Sequence, residues 1–268
     1  MAKSSRALQS SSDRADARER ERLIVGLDVE GVAPAEAVLR RLGDAVRFYK
    51  IGKQLFVQAG PDSVRMVQAT GAEVFLDLKF HDIPNTTAAA GVEAARLGVR
   101  IFNVHAAGGL AMMQRTAAEV ARVCRAERLR RPKIIAVTVL TSLADADLAQ
   151  VGVARAVGAQ VVRLARLAKR AGLDGVVASP REIGAVRRAC GPDFLIVTPG
   201  VRPAGADAHD QKRVLTPGAA VAAGADYLVV SRPVLAAPDP VAAADEIVAD
   251  MSRGARLRRA RDAGRGSA

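Results

Sequence analysis

Eight short runs rich in β-branched residues alternate with helix-like segments, and no other feature of the chain restricts its fold as much. The runs are LIVGLDV (23–29), RFYKIG (47–52), EVFLDLK (73–79), RIFNVH (100–105), KIIAVTVL (133–140), GVVAS (175–179), FLIVTPG (194–200) and YLVVSR (227–232). Gly, Pro, Asn or Asp punctuates each of them, as expected of strands. The stretches between them repeat apolar residues at helical spacing, as in AVGAQVVRLARLAKRAG. SPREIGAVRRACG opens on Ser then Pro, which predicts an N-cap and a first helical residue at 179 and 180.

Strands that alternate with helices pair in parallel. Eight such units predict a closed (β/α)8 TIM barrel, a fold that typically takes about 250 residues. An open doubly wound sheet is the competing architecture. It would carry a Gly-rich phosphate turn after its first strand, and LDVEGVAPAE has no GxGxxG.

The chain of 268 residues carries a net charge of +12, which raises the question of a nucleic-acid partner. Much of that charge lies in the ends. Residues 1–22 hold six Lys/Arg against four Asp/Glu, and residues 251–268 hold six Arg against one Asp. Neither end interleaves aromatics as a single-strand binder does. Both are expected to be disordered tails around a catalytic barrel spanning 23–250, and nucleic acid is not expected as a partner. A nucleic-acid binder would leave the charges inside the strand runs without a task. The two cysteines, Cys124 and Cys190, have no metal-ligand spacing. There is no signal-like apolar segment and no apolar run of membrane-spanning length, so a cytoplasmic protein with no membrane partner is expected.

Barrel chemistry sits at the C-terminal ends of the strands. Asp28 follows the first run, Lys50 lies in the second, and Asp77 and Lys79 end the third. Side chains two apart on a strand share a face, so Asp77 and Lys79 are expected to be neighbours, with Leu78 turned to the helix layer. A single Asp-x-Lys reads better as an ordinary salt bridge at a strand end. With Asp28 and Lys50 at matching places on the adjacent strands, it becomes one part of an alternating charged array. A Lys flanked by carboxylates stays protonated and suits a general acid. Asn103, near the end of the fourth run, is an unranked candidate to support the array from strand 4. Asp82 lies just beyond the third run, before Pro84. After the seventh and eighth runs come Arg202, Ser231 and Arg232, where barrels of this kind hold phosphate. The three histidines, His81, His105 and His209, have no partners at metal-ligand spacing.

The blocks GLDV, FYKIGKQLF, FLDLKFHDIPNT, AVTVLTSL, TPGVRP, DQKRVLTP and SRP follow one another in that order. Together they resemble the orotidine 5'-phosphate decarboxylase family in its bacterial form, with DLKFHDIPNT the most specific block. The resemblance implies a cofactor-free, metal-free decarboxylation of orotidine 5'-monophosphate to UMP and CO2. It implies that Asp28 contacts the ribose and that Lys50 holds the array together. Asp77 would stand beside the substrate carboxylate, and Lys79 would protonate C6. Asp82 would reach across a homodimer interface, with Ile83 and Thr86 near it. Thr141 would meet the pyrimidine edge, Gln211 would bridge base and phosphate, and Arg232 would bind the phosphate with Arg202 close to it.

Ser231 departs from the family pattern, which commonly has Gly there. A backbone N–H contact survives that change, but a left-handed backbone would be strained. Related sugar-phosphate barrels resemble this motif in carrying D-x-K-x-x-D but use Mg²⁺, usually with a strand 2 carboxylate as ligand. Lys50 occupies that place here, and its charge would repel the ion.

Overall fold

The computed structural model describes residues 15–203 and 215–265. Eight parallel strands close into a barrel in sequence order, with β8 paired to β1. They are β1 (Leu23–Gly26), β2 (Phe48–Gly52), β3 (Glu73–Phe80), β4 (Ile101–His105), β5 (Lys133–Val137), β6 (Gly175–Val177), β7 (Leu195–Pro199) and β8 (Tyr227–Val230).

Helices run outside the barrel. A short helix, α1, covers 15–20. It is followed by α2 (Val32–Leu42), α3 (Lys53–Ala59), α4 (Pro61–Gln68), α5 (Pro84–Arg96), α6 (Gly109–Ala126), α7 (Asp145–Gln150) and α8 (Val157–Arg170). The last are α9 (Ile183–Cys190), α10 (Pro217–Ala223), α11 (Arg232–Leu235) and α12 (Pro240–Arg265). In α8, Val157, Val161, Leu164, Ala165 and Ala168 are buried, the stripe its sequence period predicts. Pro stands in the first turn of α4, α5 and α10, where the missing N–H costs nothing. The expected cap at Ser179 is displaced: its hydroxyl bonds the Glu182 carboxylate instead, and α9 begins at Ile183.

Strand alternation separates two cores. Ile24, Phe48, Phe75, Ile101, Ile135 and Val197 fill the barrel interior. The residues between them, such as Val25, Tyr49, Leu76, Phe102 and Ile196, pack outward against the helices. This phase decides which side chains reach the C-terminal mouth. Lys50, Asp77 and Asn103 lie two residues beyond Phe48, Phe75 and Ile101, so each stacks above an interior apolar residue.

The expectation of disordered tails is narrowed at both ends. Residues 1–14 and 266–268 lie outside the described residues. Within 15–22, Glu19 is buried and pairs with Arg22 at 2.6 Å, and Arg20 pairs with Asp245 at 2.7 Å. The 251–265 segment continues α12. Its face bearing Ala244, Ile247, Val248, Met251 and Ala255 is buried, a helical period hidden among the arginines. The Ser252 hydroxyl joins the two ends by donating to Asp16 at 2.5 Å. The folded unit therefore extends beyond the 23–250 span on both sides.

Candidate active site

The charged array forms at the mouth of the barrel. The ammonium of Lys50 stands 2.9 Å from Asp28 Oδ1 and 3.5 Å from Asp77 Oδ2. Lys79 Nζ lies 2.7 Å from Asp77 Oδ1. The side chains of Lys50 and Asp77 are only 11% and 13% exposed, so both charges depend on these partners.

Asn103 completes the cluster. Its side-chain N–H donates to Asp77 Oδ1 at 2.6 Å, while its Oδ1 accepts the Lys79 backbone N–H at 2.7 Å. That second bond answers a local distortion. The β3–β4 register shifts between Leu76 and Phe80, and Lys79 takes φ of 55°. Period-two alternation correctly predicts that Asp77 and Lys79 meet. They do so across a bulge that simple alternation does not contain.

Two cavities adjoin at the array. The larger, of about 360 Å³, is lined by Asp28, Arg202, Ser231 and Arg232. The smaller, of about 200 Å³, is lined by Asp77, Lys79 and Thr141 over an apolar floor that includes Phe75 and Val197. Lys50, Pro199 and Val229 border both. One end of the cleft is thus cationic and the other largely apolar, with paired charges between them. Arg202 is only 7% exposed, and its Nε has no hydrogen-bond partner among the described residues. A buried guanidinium with an idle donor on a cavity wall suits an anionic ligand.

Ser231 takes φ of −133° as the N-cap of α11, so the strain considered for a side chain here does not arise. Its hydroxyl donates to Asp28 Oδ2 at 2.7 Å. Burial pushes the Asp28 carboxyl up, but the Lys50 charge, the Ser231 hydroxyl and Lys79 outweigh it and hold the group below its ordinary value.

The remaining expected residues lie apart from the cavity walls. Asp82, Ile83 and Thr86 form an exposed strip between β3 and the first turn of α5. The Asp82 carboxylate accepts the Ile83 N–H at 2.6 Å, and its carbonyl accepts from the Thr87 hydroxyl at 3.2 Å. Gln211 and His209 lie outside the described residues. His81 and His105 stack with ring centres 5.2 Å apart, which fits a structural role. Asn103, an unranked candidate support in the sequence, bonds both Asp77 and the Lys79 backbone N–H; its place two residues beyond interior Ile101 was the signal that could have ranked it.

A closed parallel eight-stranded barrel with an Asp/Lys cluster at its C-terminal mouth, beside an Arg-lined cavity, defines the class of (β/α)8 barrels with the site at the usual end of the strands. Within that class the chain belongs to the orotidine 5'-phosphate decarboxylase / HUMPS family, whose model matches residues 21–247. It is 58% identical over 233 residues to the orotidine 5'-phosphate decarboxylase of Syntrophotalea carbinolica, covering 87% of this chain and 96% of that one. The corresponding protein of Geobacter sulfurreducens is 55% identical over 235 residues, with 88% and 98% covered. Among solved structures, orotidine 5'-phosphate decarboxylase from Lactobacillus acidophilus superimposes with a TM-score of 0.76 at 38% identity, covering 85% of this chain and 97% of that one. Among the described residues no helix is long and apolar enough to cross a membrane.

Proposed function

We propose that this chain decarboxylates orotidine 5'-monophosphate to UMP and CO2, with Lys79 delivering the proton to C6. The observation that carries this reading is the Lys79–Asp77–Lys50–Asp28 chain of ion pairs where the two cavities meet. The relatives' names support the substrate, and the cleft suits its parts. The phosphate goes to the larger cavity, with Arg202, Arg232 and the backbone N–H groups at 231–232 as donors. The ribose meets Asp28. The pyrimidine enters the smaller cavity, its edge at Thr141.

In this orientation the substrate carboxylate lies beside Asp77. Breaking the bond from C6 to the carboxylate leaves its electron pair on C6 and releases neutral CO2. The Lys79 ammonium, already fixed by Asp77, stabilises the growing negative charge and passes its proton to C6. Solvent then reprotonates Lys79. Lys50 keeps Asp28 and Asp77 in place without entering the reaction. Binding energy from the remote phosphate serves orientation and exclusion of water at C6.

The reading extends to a cytoplasmic homodimer in which Asp82 reaches into the neighbouring site. Its support is the exposed strip that carries Asp82, where Ile83 is 66% exposed to solvent. Cys124 and Cys190 are both free thiols buried in the fold, which suits a reducing compartment.

The test is the loss of orotidine-phosphate absorbance on adding purified protein, with and without EDTA. Turnover that EDTA leaves untouched is the expected result. An unchanged spectrum overturns the activity, and turnover lost in EDTA overturns the metal-free reaction.

A further inference from the structure

We infer that the Ser231 hydroxyl is a positioning group: it fixes the Asp28 carboxylate and thereby ties the phosphate end of the cleft to the Asp/Lys array. This rests on the decarboxylase reading above and adds to it a residue that acts through another.

The geometry begins with strand register. Val25 of β1 pairs with Val230 of β8, so Gly26 and Ser231 are the next neighbours along the pair. Both continue the interior phase set by Ile24 and Val229. The Ser231 hydroxyl settles over Gly26, where a Cβ would come within 2.3 Å of it. Only a glycine at 26 leaves room for that oxygen, and from there it reaches Asp28 Oδ2 at 2.7 Å.

Asp28 needs such a partner. It lies beyond the end of β1, and its side chain is 51% exposed. Lys50 holds Oδ1 at 2.9 Å, and this alone would leave the carboxylate free to turn about its Cβ–Cγ bond. With Ser231 on Oδ2, one lone pair of each oxygen is engaged and the plane of the group is set. The other lone pairs remain for hydroxyl donors, which is what a sugar ring offers. Ser231 also precedes Arg232 in the chain, and both border the larger cavity. An anion held by the 231–232 segment is therefore one hydrogen bond from Asp28, and Asp28 is one ion pair from Lys50.

The test compares wild type, Ser231→Ala, Asp28→Ala and the double variant in steady-state decarboxylation of orotidine 5'-monophosphate. Ala removes one oxygen and accepts φ of −133°, so the fold is retained. Loss of a hydrogen bond to a charged group is expected to lower kcat/KM by about three- to tenfold, carried mainly by KM. In the Asp28→Ala background the same change is expected to cost less than about twofold, because the group it positions is gone. Inhibition by inorganic phosphate is expected to be unchanged in Ser231→Ala. An equal loss in both backgrounds, no loss in either, or weakened phosphate inhibition overturns the inference. The wild-type arm separates the two claims: no turnover by wild type overturns the decarboxylase reading itself.

Discussion

Lys79 occupies an uncommon position for a residue of its type. Any residue with a Cβ resists φ of 55°, and a left-handed backbone costs roughly 1–2 kcal/mol. Asn103 offsets this by accepting the Lys79 N–H and donating to Asp77, so one buried amide holds both halves of the ion pair. Lys79→Ala is expected to lose nearly all turnover while keeping its circular dichroism and melting transition; near-normal decarboxylation would remove Lys79 from the acid role. Asn103→Ala leaves the acid present but loosens its aim. It is expected to lower kcat on the order of a hundredfold, the scale of a misplacement near 1 Å. A kcat within twofold of wild type would show that Asn103 does not align the pair. The side chains Asp28, Lys50, Asp77 and Lys79 were legible from strand ends and period two. The bulge was not, because it arises from register against β4 rather than from anything local to DLKF.

At the scale of elements, the loop after β3 is held against the end of β4 by the His81–His105 stack. Burial lowers the pKa of His105, and the nearby His81, Lys79 and Lys53 lower it further. The unfolded chain therefore takes up a proton below the ordinary value of 6.5 that the folded chain resists. Folding stability from this group is present above that pH and is lost as pH falls. Denaturant melts from pH 7 to pH 5 are expected to show a shallower fall in midpoint for His105→Gln than for wild type. Parallel slopes would mean that His105 does not carry this dependence. The terminal helices show a different limit. Counting charges pointed to disorder at both ends, whereas the buried face of α12 depends on apolar spacing and on the neighbour it meets. That neighbour is α10: the Gly218 N–H donates to Asp250 at 2.7 Å, and a Cβ at Gly254 would lie 2.0 Å from the Gly218 carbonyl.

For the whole molecule, the open question is whether two chains share a site. If Asp82 serves the partner, Lys79→Ala and Asp82→Ala subunits are each inactive alone. Mixed in equal amounts and re-equilibrated, half the dimers pair unlike chains, and one of their two sites is intact. Roughly a quarter of wild-type activity is then expected to return. No recovery in the re-equilibrated mixture would make Asp82 a residue of its own site. Sequence alone determined the barrel, because eight alternating strand and helix periods with short connections admit few other arrangements. It also determined which strands carry charge, since position along a strand fixes the face. Only tertiary structure decided which oxygen meets which ammonium, that Asn103 braces Lys79, that Ser231 reaches Asp28 over Gly26, and that residues 15–20 and 251–265 are helical. Those outcomes depend on register and packing between segments up to two hundred residues apart, and local periodicity holds no record of such distances.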